Sequence, residues 1–98
     1  MKFIYPMRKD EVIWRRIGDT IVVIKEDGLS SHTLNKTASF IWELCDGNLE
    51  IDEIATKLHE HFEVSPEDAR SDVHNMIEEL TLAGIVQRTK GKKDKTRY

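Results

Sequence analysis

Three successive helix signals in residues 34–86 constrain the fold of this chain more than any other feature. The first helix begins at Asn35, whose side chain can cap it, and its apolar residues recur at spacings of three and four. These residues are Ala38, Ile41, Trp42 and Cys45. Gly47 supplies the left-handed residue that ends such a helix, so we predict a helix between Asn35 and Gly47.

Two further helices follow. The second is predicted to begin at Asp52 and to end before Glu63-Val64, with one apolar face made of Ile54, Ala55, Leu58 and Phe62. The third opens at Ser65-Pro66, because a serine hydroxyl caps the free amides and proline suits the first helical position. Its apolar stripe runs to Gly84 and consists of Ala69, Val73, Met76, Ile77, Leu80 and Ala83. Residues 85–88 are then predicted to be a short extended segment.

The N-terminal third predicts an antiparallel meander of three strands. Residues 12–17 and 20–25 are rich in Val, Ile and Trp, and the two-residue turn signal Gly18-Asp19 separates them. Asp27-Gly28 marks a second turn, after which residues 29–34 can return as a third strand. The predicted fold class is therefore α+β, with an N-terminal three-stranded antiparallel sheet followed by a three-helix bundle.

The two edges of the predicted sheet differ in their side chains. Residues 21–24 are apolar throughout, which favours a central strand that is covered on both faces. The first strand carries two arginines and follows proline and cationic residues, which discourage further pairing there (Arg15, Arg16, Pro6, Arg8 and Lys9).

The third strand has no proline, lysine or bulky charge to block an incoming backbone. It is composed of Ser30, Ser31, His32, Thr33 and Leu34 after Leu29. Its edge could accept an extended peptide by strand addition, or the strand could be short and covered by another part of the chain. A free edge can also pair with a second copy, so a homodimer stays open.

Length and composition favour one small cytoplasmic domain. A chain of 98 residues can bury a single core, and no stretch approaches the roughly 18 to 20 apolar residues of a membrane span. Residues 1–6 lack the long apolar region of a secretory signal. The single cysteine, Cys45, excludes an internal disulfide and fits a reducing compartment.

Charge is unevenly distributed along the chain. Five of the 15 basic residues but only one of the 18 acidic residues lie in residues 89–98, so the body is acidic and the C-terminus is basic. With one aromatic and no apolar periodicity, this segment is predicted to be a disordered tail. It serves either as a solubilising terminus or as an electrostatic contact for an acidic partner.

Patterns for catalysis or metal binding are weak. His59 and His61 are separated by about 200° around a helix, which is the wrong spacing for a shared metal ion. Cys45 shares the phase of the first apolar stripe and is predicted to be a buried small residue. Trp14 and Trp42 are predicted to lie in or near the core. No phosphate-binding loop or cysteine cluster occurs, so we expect a non-enzyme without metal or cofactor.

Residues 34–86, which contain the three predicted helices, resemble the PqqD family. The opening motif is Leu34-Asn35-x-Thr37-Ala38-x-x-Ile41-Trp42-x-Leu44-x-Asp46-Gly47, and Glu53-Ile54, Leu58, Asp72-Val73, Leu80 and Gly84-Ile85-Val86 follow at matching distances. The resemblance implies a winged-helix-like domain over residues 1–88. It also implies a protein that binds the leader segment of a ribosomally made precursor peptide and presents it to a modifying enzyme, often a radical SAM protein. It does not imply PQQ itself.

The resemblance further implies a leader-binding groove between the third strand and the third helix. On that helix, four residues at i, i+4, i+7 and i+11 share one flank of the apolar stripe, namely Arg70, His74, Ile77 and Thr81. We predict that they face residues 30–34, with Arg70 available to an acidic leader residue and Ile77 to an apolar one. The alternative is an ordinary boundary between core and solvent.

A DNA-binding winged-helix regulator is the main competing function. The third helix argues against it, because duplex binding requires cations on the helix that enters the groove. Here a single arginine, Arg70, stands against Glu67, Asp68, Asp72, Glu78 and Glu79. A structural subunit of a neighbouring enzyme, with no peptide of its own, is the third alternative.

Overall fold

The computed structural model describes residues 4–89, which form five strands and three helices. In chain order these are β1 (Tyr5–Arg8), β2 (Ile13–Ile17), β3 (Thr20–Ile24), β4 (Ser31–Leu34), α1 (Lys36–Leu44), α2 (Ile51–His61), α3 (Pro66–Leu82) and β5 (Val86–Thr89). The predicted α+β class, with a three-stranded antiparallel sheet and three helices, is confirmed. None of these helices is both long and apolar enough to cross a lipid bilayer.

The main sheet has the order β2-β3-β4, with antiparallel pairing throughout. The predicted meander is therefore confirmed, but the prediction that β3 is covered on both faces is wrong. Ile21 and Val23 are fully buried, whereas Ile24 on the opposite face is 38% exposed. Because side chains alternate along a strand, the helices cover only the inner face of this sheet.

A second, two-stranded sheet joins the two ends of the described chain. β1 pairs antiparallel with β5, from Tyr5 opposite Thr89 to Arg8 opposite Val86. Pro6 and Arg8 thus belong to a strand of their own, which was not predicted, and β2 pairs only with β3 among residues 4–89. Thr89, assigned above to the tail, ends β5 and its hydroxyl donates to the Tyr5 carbonyl at 3.2 Å. The rest of the predicted disordered tail, residues 90–98, lies outside the described residues.

Local capping fixes where each helix begins. The Asn35 side chain accepts from the Ala38 amide at 2.8 Å, and the Ser65 hydroxyl accepts from the Asp68 amide at 3.1 Å, as predicted. α2 begins one residue earlier than predicted, at Ile51. There the Glu53 carboxylate reaches back to accept from the Glu50 amide at 2.7 Å, half of a capping box.

Two glycines adopt the left-handed conformation after helices. Gly47, with φ 84°, follows α1, and Gly84, with φ 83°, turns the chain after α3 into β5.

The core has two clusters of buried side chains. One joins β3, β4, α1, α3 and β5 around Trp42, and the other joins the three helices around Ile77 and Leu58. Met76 packs against both clusters. Trp42 is fully buried, while Trp14 is 37% exposed and meets it edge to face at 6.0 Å between ring centroids. Trp42 lies in the core as predicted, whereas Trp14 is an exposed residue that contacts the core through Trp42 and its strand neighbours.

Candidate functional site

β4 lies at an edge of the main sheet, and the edge that points away from β3 has no strand partner among residues 4–89. The Lys25 amide donates to the Ser30 carbonyl at 3.0 Å, which sets the phase of the β3–β4 ladder. Along an antiparallel strand, the backbone amides and carbonyls of successive residues point to alternate sides. The amides and carbonyls of His32 and Leu34 therefore point toward β3. The amides and carbonyls of Ser31 and Thr33 point to the open edge. Two amides and two carbonyls are therefore available to an added strand.

A cleft of about 270 Å³ lies between this edge and α3. Its lining combines the apolar core residues Leu34, Ala38 and Leu80 with polar residues such as His32 and Asn35. Glu79 places an exposed carboxylate at its rim. The residues that line the cleft are His32, Thr33, Leu34, Asn35, Ala38, Met76, Glu79, Leu80 and Ala83. Every second side chain of a strand added at β4 would point toward this cleft.

Of the predicted residues 30–34, the structure brings His32, Thr33 and Leu34 to the cleft, while Ser30 and Ser31 do not line it. The predicted residues of α3 do not line it either. Ile77 is fully buried in the cluster that contains residues of α2, and Arg70 Nε lies 3.5 Å from Asp52 Oδ1 on α2. The Thr81 hydroxyl donates to the Ile77 carbonyl at 2.6 Å, and His74 is exposed on the same flank. None of these four residues lines the cleft. Contact of these residues with a peptide stays a prediction.

The flank that faces the cleft carries Met76, Glu79 and Ala83 instead. At 100° per residue it lies about 165° around the helix from the flank of Arg70 and His74. Met76 and Ala83 belong to the apolar stripe identified from the sequence. Their spacing of seven residues, with Glu79 between them, places them on one side of the stripe, but no signal in the sequence shows that this side faces β4.

The cysteine and two of the histidines have structural contacts within the fold. Cys45 is fully buried and its thiol donates to the Ile41 carbonyl at 3.3 Å. Burial raises the pKa of Cys45 from 9.0 to about 12, so the thiol is protonated at neutral pH and is a poor nucleophile. His59 Nδ1 lies 2.7 Å from the Val64 carbonyl, and the His61 ring stacks on Phe40 at 4.5 Å between centroids. Across residues 4–89, no group of three or more His, Cys, Asp or Glu side chains could hold a metal ion.

Two solved structures share this fold. The first is TbiB1 in complex with the TbiA(beta) leader peptide, with a TM-score of 0.75, 19% identity, and coverage of 90% of this chain and 99% of that one. The second is lasso peptide synthetase B1 complexed with the leader peptide, with a TM-score of 0.73, 23% identity, and coverage of 85% and 98%. At these identities the likeness shows the fold.

Sequence comparison identifies the family. No curated protein gives a significant match. The family model described as "Coenzyme PQQ synthesis protein D (PqqD)" matches residues 20–86, from the start of β3 to the start of β5. The match covers well over half of the chain and includes the β4 edge and the cleft. This chain therefore belongs to the PqqD family.

Proposed function

We propose that this chain is a non-catalytic adaptor that binds the leader segment of a ribosomally synthesised precursor peptide and presents it to a modifying enzyme, such as a radical SAM protein. The observation that carries the proposal is the open edge of β4 beside a cleft that both apolar and polar residues line. Membership of the PqqD family supports it. So does the fold shared with two proteins whose solved structures contain leader peptides.

The leader would bind as a fourth strand of the main sheet. Its backbone would exchange hydrogen bonds with Ser31 and Thr33, whose amides and carbonyls point to the open edge. The side chains of Ser31 and Thr33 are short, so they leave this edge accessible. Backbone pairing holds any extended peptide, and for that reason it determines the position of the leader rather than its identity.

Identity would come from the side chains directed at the cleft. An apolar leader residue would cover Leu80 and Ala83, while the Glu79 carboxylate at the rim would favour a basic neighbour. Burying one large aliphatic side chain contributes about 1.5–3 kcal/mol, and each new hydrogen bond contributes about 0.5–1.5 kcal/mol net. After the cost of ordering the peptide, we expect a Kd between micromolar and nanomolar, about −8 to −12 kcal/mol.

Proline substitutions along β4 test strand addition. The Ser31 amide faces the open edge, so Ser31→Pro should leave the β3–β4 ladder intact and remove a hydrogen bond to the leader. Leader affinity should fall by about tenfold or more while the melting temperature changes little, because tenfold corresponds to only about 1.4 kcal/mol. The His32 amide faces β3, so His32→Pro should destabilise the fold itself.

The probe is a synthetic peptide of the leader encoded beside this gene, titrated by calorimetry. Ser31→Ala is the matched control, since it removes the hydroxyl but keeps the amide, and it should bind like the wild type. Wild-type affinity in Ser31→Pro would contradict strand addition at β4.

A further inference from the structure

The outer face of the main sheet carries an uncovered group of aliphatic side chains. Residues that pair across β2 and β3 lie on the same face, which places Ile13 beside Ile24 and Arg15 beside Val22. Ile13 is 63% exposed and Ile17, two positions beyond Arg15, is 61% exposed. We call Ile13, Arg15, Ile17, Val22 and Ile24 the outer patch. These residues also line a shallow cavity of about 180 Å³.

The outer patch does not contribute to the core of this domain. Its apolar residues lie opposite the inner face, where Ile21 and Val23 pack against the helices. Contiguous exposed aliphatic side chains are unfavourable in water and typically mark a surface that another molecule covers. β-branched residues on a rigid sheet also lose little side-chain freedom when they are covered.

The charge within the outer patch identifies the kind of occupant. Arg15 stands between Ile13 and Ile17 on β2, and it forms no ion pair within the part of the chain that the structure describes. A second copy packed symmetrically through the centre of this face would place Arg15 against Arg15, and burying two like charges is strongly unfavourable. A partner with a carboxylate surrounded by apolar side chains would satisfy both parts of the surface.

We propose that the outer patch is a second docking surface, for a folded protein that presents aliphatic side chains around a carboxylate. The proposal rests on the adaptor function, in which that protein is the modifying enzyme. The leader cleft lies on the inner face, with His32 and Leu34, whereas the outer patch is on the opposite face of the same sheet. The domain can therefore hold the leader and the enzyme at the same time.

The test measures two affinities for each variant of the full chain. The probes are the purified modifying enzyme encoded beside the precursor gene and the synthetic leader peptide. In the double variant Ile13→Ser/Ile17→Ser, enzyme affinity should fall by about tenfold or more, as is common for central interface residues. Arg15→Glu should weaken enzyme binding by a similar factor, because it replaces attraction by repulsion. Leader affinity should stay within about twofold of the wild type in both variants.

Leu82→Ser is the matched control, because Leu82 is 81% exposed on α3 and lies outside the outer patch. It should leave enzyme affinity unchanged. Equal enzyme affinity in the wild type and the outer-patch variants would overturn the proposal, as would a wild-type chain that fails to bind the enzyme. A concentration-dependent dimer that Ile13→Ser/Ile17→Ser dissociates would also overturn it, because the occupant would then be a second copy. If the wild-type chain binds the enzyme but not the leader peptide, the adaptor function is contradicted and the docking surface is not.

Discussion

The two flanks of α3 both mix apolar and charged side chains, but they contact different parts of the fold. The Arg70 flank, made of Arg70, His74, Ile77 and Thr81, packs against α2 or faces solvent. The Met76 flank, made of Met76, Glu79 and Ala83, borders the cleft beside β4. Each flank combines an apolar residue with a charged one. The packing of the whole domain determines which flank lies beside β4.

The largest expected effect is a loss of stability at Ile77 without a loss of leader affinity. Ile77→Ala should destabilise the domain by about 2–5 kcal/mol, because it leaves a cavity in the cluster shared by the helices. The folded fraction should bind the leader peptide as tightly as the wild type does. Chemical denaturation and calorimetry would measure the two quantities, with His74→Ala as an exposed control that changes neither. A large loss of intrinsic leader affinity in Ile77→Ala would mean that Ile77 belongs to the site.

Filling the cleft should have the next largest effect. Ala83→Gln places a longer side chain where the leader is expected to pack, so leader affinity should fall by about tenfold, or about 1.4 kcal/mol. Leu82→Gln, at the neighbouring position outside the cleft lining, is the matched control and should bind like the wild type. If the two variants have the same affinity, the leader does not enter this cleft.

A smaller effect should distinguish two adjacent carboxylates of α3. Glu79 lines the cleft, whereas Glu78 does not. We expect Glu79→Gln to weaken binding of a leader with a basic residue by about twofold to fivefold, in the range of an exposed ion pair. The difference should vanish at about 1 M salt, where the screening length is short. Glu78→Gln should have no effect at either ionic strength; equal losses in both variants would indicate a general charge effect.

The smallest expected effect is at Arg70. Its ion pair with Asp52 is exposed on both sides, so Arg70→Gln should change the free energy of unfolding by less than about 0.5 kcal/mol. Leader affinity should be unchanged, as measured in the same calorimetric titration. A tenfold loss of affinity would instead place the leader on the Arg70 flank.

Local signals in the sequence predicted most of the fold. The caps at Asn35 and Ser65 and the turn at Gly18-Asp19 act over a few residues, and the structure confirms each of them. The pairing of β1 with β5 was missed, because it joins the two ends of the described chain. No local pattern records such a contact.

The candidate site was predicted only in part, for a related reason. The small or polar residues 30–33 indicated an accessible edge, and the structure places β4 at the edge of the sheet. The apolar stripe of α3 indicated which residues enter the core. It did not indicate which side of the stripe faces β4, because this depends on how α3 crosses α2 and the sheet. The outer patch was missed because a run such as residues 21–24 has the same appearance whether one face or both faces are covered.

Hydrogen–deuterium exchange of backbone amides, with and without the leader peptide, tests the central claim most directly. In the free protein the His32 and Leu34 amides should exchange slowly within the β3–β4 ladder, and those of Ser31 and Thr33 should exchange fast. Leader binding should slow the exchange of Ser31 and Thr33 to a rate near that of their neighbours. Unchanged fast exchange at both amides in the saturated complex would contradict strand addition at β4.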